Sequence, residues 1–143
     1  MAGTYTVDAS VFLNAYNTRE PGHADSRRLL DRLRANADPI IVPALVLPEV
    51  AATISRGHPD ARLARAFADA IARLPHLVII PLDEVLARQA ADVAAQHRLR
   101  GADAVYVAVA LRFGSTLVTL DREQHDRAAA VLHTRYPVEL AGP

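Results

Sequence analysis

The chain has 143 residues, 51% of them hydrophobic and 22% charged, and its formal net charge is zero. That length suits one domain with a real core, expected to span residues 1–143. The mixed polar and apolar composition, with no run of about 20 apolar residues, excludes a disordered tail and a membrane-spanning protein. There is no Cys, and all sixteen basic residues are Arg. Thiolate chemistry, a P-loop lysine and a Schiff-base amine are therefore excluded together. Zero net charge also argues against a long non-specific nucleic-acid groove. The opening residues lack the layout of a secretory signal, so the expected location is the cytoplasm.

Along the chain, short apolar runs alternate with longer helical stretches. Thr4–Val7 predicts a first strand and Ala9–Asn17 a short helix. His23–Ala35 is a second helix, with Leu29, Leu30 and Leu33 turned inward. The β-branched run Ile40–Val42 is a buried strand. A helix over Ala44–Arg56 follows, stopped by Gly57, and Pro48 is tolerated only within its first turn. Pro59 opens the next helix, whose Leu63, Phe67, Ile71 and Leu74 recur at helical spacing. Leu77–Ile80 is a strand and Asp83–Arg98 a helix. Ala102–Phe113 is apolar almost all round, as a helix covered on several sides is. Thr116–Thr119 is a strand, Arg122–Leu132 a helix, and Tyr136–Val138 a weak last strand. Strands separated by helices imply a three-layer α/β/α sandwich around a mainly parallel sheet.

In such a sheet the site lies beyond the carboxyl ends of the strands. Asp8 follows the first strand, Asp121 follows the Thr116–Thr119 strand, and Asp103 opens the apolar helix. Glu49 interrupts the apolar stretch Ala44–Ala52. Each Asp also suits a helix cap, and Asp121 with Gln124 completes a capping-box pattern. Glu49 does not, because a carboxylate among Leu45, Val46, Ala52 and Thr53 is costly unless paired or bound to a cation. If the four acids converge, they cannot all stay ionised without a cation. In the absence of Cys the fitting guests are Mg²⁺ or Mn²⁺, and metal-assisted phosphodiester hydrolysis is the matching chemistry.

The segments Val7-Asp8-Ala9-Ser10-Val11-Phe12, Leu47-Pro48-Glu49-Val50, Gly101-Ala102-Asp103-Ala104-Val105-Tyr106-Val107-Ala108 and Thr119-Leu120-Asp121 resemble, in order, those of the PIN-domain ribonucleases. Within these they are most similar to the VapC toxins of toxin–antitoxin pairs. The resemblance implies an Mg²⁺- or Mn²⁺-dependent endoribonuclease whose catalytic and metal-binding acids are Asp8, Glu49, Asp103 and Asp121. It also implies a homodimer and a VapB-like antitoxin, with DNA bound only through the antitoxin complex.

Ser10 and Thr119 carry hydroxyls beside these acids, and one of them is expected to bond a carboxylate or a phosphate, as outer groups at metal sites do. Asn14, one turn past Ser10, and Asp126 are further candidates. RNA phosphates need local positive charge, and Arg98, Arg100 and Arg122 could rim the cleft. The six His residues form no metal-binding pair, and only His125 falls near the proposed cleft. Two other readings stand beside the nuclease: an interaction module whose acids are only caps, and a metal-dependent phosphatase. The dehalogenase-like phosphatases want an Asp where Ser10 stands, and a Lys.

Overall fold

A computed structural model describes residues 3–142. Strands β1 (Tyr5–Val7), β2 (Ile40–Pro43), β3 (Leu77–Ile80), β4 (Thr116–Val118) and β5 (Thr134–Arg135) form one parallel sheet. Their order is β3-β2-β1-β4-β5. Among the described residues eight helices flank it. These are α1 (Ala9–Tyr16), α2 (His23–Ala35), α3 (Val46–Gly57), α4 (Ala61–Ala72), α5 (Glu84–His97), α6 (Gly101–Phe113), α7 (Arg122–Ala128) and α8 (Pro137–Leu140). The expected α/β layering holds, and the sheet is parallel throughout.

The chain lays β2 and then β3 on one side of β1, and β4 and then β5 on the other. The direction of winding therefore reverses between β1 and β4, which leaves a crevice at their carboxyl ends. Those two strands are in register, with Val7 opposite Val118. Val7, Val42, Leu117 and Val118 are fully buried, as strands covered on both faces require. Helix α6 packs across β1, β2 and β4 and is itself covered by α5. Every residue from Ala104 to Ala110 is buried, so the absence of a polar stripe in this segment has the predicted cause.

Pro48 is the third residue of α3, where its missing N–H costs no helical bond. Several boundaries depart from expectation. The last strand is Thr134–Arg135, and Tyr136–Val138 instead opens α8 with Pro137 as its first residue. Proline supplies no ladder donor but suits the first turn of a helix. Helix α7 stops at Ala128 rather than Leu132, because Val131 and Leu132 turn back to the Ala128 carbonyl. That turn delivers the His133 carbonyl to the Leu117 N–H and so starts the β4–β5 ladder. Helix α4 begins at Ala61, capped by Asp60, two residues past Pro59. No helix among the described residues is long and apolar enough to cross a membrane.

Candidate active site

Two of the four acids are fixed by the turns that leave the sheet. Asp8 is the N-cap of α1, and its Oδ2 accepts the Ser10 N–H at 3.0 Å. Its own N–H donates to the Val118 carbonyl at 2.9 Å, so the main chain pins it between β1 and β4. Asp121 is the N-cap of α7, and its Oδ1 accepts the Gln124 N–H at 3.0 Å. The Ser10 hydroxyl accepts the Leu120 N–H at 3.2 Å, which stitches the end of β4 to the first turn of α1.

The other two acids are held by side chains. Asp103 is not a cap: α6 starts at Gly101, and Asp103 lies in its first turn. The favourable field of the helix N-terminus still acts on it there. Its Oδ2 accepts Arg100 Nε at 3.0 Å, and Arg100 Nη2 donates to Asp121 Oδ2, so one guanidinium spans both acids. Glu49 sits in the first turn of α3, and its Oε1 accepts the Tyr106 hydroxyl at 2.6 Å. It is half-buried, less deeply enclosed than the apolar run around it predicts.

Mutual repulsion marks the acids as one group. Burial pushes the Asp8 carboxyl above the usual carboxylate range, and the charge of Asp121 adds to this. Burial also raises Glu49, with Asp8 and Asp103 contributing. Asp103 is raised by burial first and by Asp8 and Asp121, while Arg100 opposes the shift. Burial followed by the charges of Asp8 and Glu49 raises the Tyr106 phenol, which keeps it a donor.

The sequence-selected residues divide sharply. The Ser10 and Thr119 hydroxyls lie next to the acids and accept main-chain N–H groups there. The Thr119 hydroxyl is fully buried, accepts the Asp121 N–H at 3.0 Å and donates to Gln124 Oε1 at 2.7 Å. Asn14 does not face the acids. Its amide bonds Glu20, the Pro21 carbonyl and the Ser26 hydroxyl, and so closes the α1–α2 connection. Asp126 is exposed on α7, bonded to His125 Nδ1 and 3.9 Å from Arg122. Arg122 turns outward with its side chain 88% exposed. Arg98 caps α5 in a left-handed conformation and is exposed, its carbonyl accepting Arg127 Nη1. Of the three predicted phosphate contacts, only Arg100 meets the acids. His125 stacks on Tyr136 with ring centroids 4.0 Å apart.

Two further residues bond the candidate acids or the groups around them. Gln124 is fully buried, and its side chain does not return to the Asp121 N–H as a capping box requires. Thr119 takes that N–H instead. The Gln124 amide turns inward to the Asp103 carbonyl at 3.5 Å, and its dipole favours the ionised form of Asp8 against burial. Tyr106 lies one turn past Asp103 as the sole hydroxyl of an otherwise apolar helix face, a signal that was present in the sequence.

Four carboxylates, with Asp8, Glu49 and Asp103 raised in proton affinity, form a hard-oxygen donor set suited to a divalent cation. Their spacing does not close on one as they stand: among the described residues no three acids or histidines are placed to hold an ion together. Arg100 is the cation that meets two of the acids here.

The PIN domain family model matches residues 5–130. Ribonucleases VapC31 and VapC25 of Mycobacterium tuberculosis are each 32% identical over 142 residues, covering 94% of this chain and 99% of theirs. The chain belongs to the VapC group of the PIN domain family. Solved structures share the PIN fold at lower identity. VapBC2 of Rickettsia felis, bound to a promoter DNA fragment, aligns with TM-score 0.71 at 17% identity, covering 93% of this chain and 98% of that one. The sarcin–ricin loop cleaving toxin VapC20 of M. tuberculosis aligns with TM-score 0.70 at 22% identity, covering 90% and 95%.

Proposed function

We propose that this chain is an Mg²⁺- or Mn²⁺-dependent endoribonuclease and the toxin of a VapBC-type toxin–antitoxin pair. The observation that carries the reading is the meeting of carboxylates from four separate segments at the switch point of the sheet. Three of them are driven up in proton affinity, in part by their neighbours' charge. Relatives named as ribonucleases, matched over nearly their whole length, support RNA as the substrate.

Asp8, Glu49, Asp103 and Asp121 would hold the cation. When bound, it supplies charge neutralisation at the scissile phosphate and activates water for in-line attack. Asp8 and Asp121 offer carboxylates whose placement is set by the main chain. Gln124 and Thr119 keep those two from turning away. Arg100, with a side chain 61% exposed at the mouth, presents a fork that suits a phosphate as well as it suits a carboxylate. Arg98 and Arg122 add positive charge on the chain to either side.

The partners in this reading are a VapB-like antitoxin, a second copy of the chain, and DNA only through the antitoxin complex. Structural neighbours solved as VapBC complexes, one of them on promoter DNA, support the antitoxin. Action on RNA alongside an antitoxin suits the cytoplasm. The one sheet containing all five strands supports a single domain over residues 1–143.

The second reading is a PIN-like interaction module without catalysis. It is favoured by one observation: Asp8 and Asp121 already cap helices, and Arg100 already neutralises Asp103 and Asp121. Mg²⁺ titration followed by amide resonances separates the two. The nuclease reading expects saturable changes around the four acids, metal-dependent RNA cleavage, and loss of that cleavage in Asp103→Asn. Expression alone should arrest growth with the wild-type chain and not with Asp103→Asn. A titration without saturable change supports the module.

A further inference from the structure

Helix α6 carries Asp103 at its mouth and Tyr106 one turn deeper. The Tyr106 side chain is fully buried among apolar neighbours, where Phe would fill almost the same space. Packing therefore asks for the ring and not for its hydroxyl, and a buried hydroxyl is costly unless it is bonded. This one is bonded to Glu49 Oε1 at 2.6 Å. A single oxygen thus joins the two helices that bring Glu49 and Asp103 to the crevice.

Glu49 is the acid with the weakest hold of its own. Neither Arg100 nor a helix cap touches it, and the Tyr106 hydroxyl is the one hydrogen-bond donor to its carboxylate among the described residues. A Glu side chain has three rotatable bonds, so without that donor it must be ordered when a cation binds. Ordering it beforehand removes that cost from binding. The phenol also favours the ionised carboxylate, which is the form a cation needs.

We propose that Tyr106 is a positioning residue that aims the Glu49 carboxylate into the acid cluster and sets how tightly the cluster holds a divalent cation. The proposal rests on the metal-dependent nuclease reading above. The structure ties the oxygen to the Glu49 carboxylate rather than to the packing of the core, which distinguishes it from a hydroxyl kept only for stability.

The test is Mn²⁺ affinity, measured by the loss of the free-ion paramagnetic resonance signal in the full chain. Tyr106→Phe should stay folded and bind Mn²⁺ about tenfold more weakly, at the lower end of the roughly 10–100-fold range for residues behind a metal ligand. In a Glu49→Ala background the same substitution should add less than about twofold, because coupled residues do not act additively. Equal loss in both backgrounds, or wild-type affinity in Tyr106→Phe, overturns the role. If the wild-type chain binds no Mn²⁺, the metal reading falls and this inference falls with it. Should Tyr106→Phe fail to fold, Mg²⁺ titration of the wild type decides. Tyr106 ring resonances that move with the Glu49 signals support the role, and unmoved ones overturn it.

Discussion

Asp8 and Asp121 on one side, and Glu49 and Asp103 on the other, reach the same crevice by different means. The first pair ends parallel strands, and each bonds the backbone of the helix that follows, so the fold itself sets its position. The second pair rides on helices and is held by single side chains, Tyr106 and Arg100. A capping carboxylate survives as long as its helix does. A carboxylate held by a side chain can be released by changing one atom or displacing one guanidinium. Geometry is inherited at one half of this site and adjustable at the other.

The largest expected effect falls on the inherited half. Asp8→Asn should keep the fold, since Asn caps a helix about as well as Asp. RNA cleavage should fall by more than the roughly 100-fold upper end for a residue that only supports a metal ligand. A single-turnover assay with saturating Mn²⁺ checks this, and cleavage within about tenfold of wild type would remove Asp8 from the ligand set. Asp8→Ala should lose the same activity and, in addition, about 1 kcal/mol of stability from the cap.

Gln124 joins the two halves, and its loss should rank second. Gln124→Met fills similar space but strands the Thr119 hydroxyl and removes the amide from Asp8 and the Asp103 carbonyl. Leaving such a group unsatisfied costs about 1–3 kcal/mol of stability. Cleavage should drop roughly tenfold, as for other groups behind a metal ligand. Urea unfolding and cleavage kinetics on one preparation measure both. A variant that loses stability but keeps full activity would confine Gln124 to the fold.

The same division explains what could be read from the chain. Asp8 and Asp121 were legible because their positions follow from strand ends, and strand ends follow from β-branched runs such as Ile40–Val42. The crevice was legible because parallel order follows from alternating strands and helices. Asp103 is only partly legible: it reads as a cap, yet Arg100 occupies that place and turns its side chain back over the acids. Local sequence does not say where a long side chain points. Asn14 shows the converse, since its spacing from Ser10 places it one turn along α1 but not on the crevice side. Tyr106 and Gln124 are not legible in this way, because their partners are 57 residues away in one case and hidden behind a plausible capping box in the other.

The smallest effect separates the halves by pH, in chelator so that no cation intervenes. Glu49 has its carboxyl raised above the ordinary value of 4.5, first by burial and then by Asp8 and Asp103. A raised carboxyl binds its proton more tightly in the folded state than in the unfolded one. Below pH 4.5 both states are protonated and the fold carries no penalty. As pH rises through the raised value, ionisation costs the folded state more, so stability is lost and then levels off. Glu49→Gln keeps an acceptor for the Tyr106 hydroxyl and carries no charge. Its melting temperature should therefore match the wild type at pH 4 and exceed it at pH 8. Because Glu49 is only half-buried, the gain should stay below about 1 kcal/mol. A wild-type chain as stable as Glu49→Gln at pH 8 would mean that Tyr106 fully offsets the repulsion from Asp8 and Asp103. The adjustable half of the site would then be as firmly held as the inherited one.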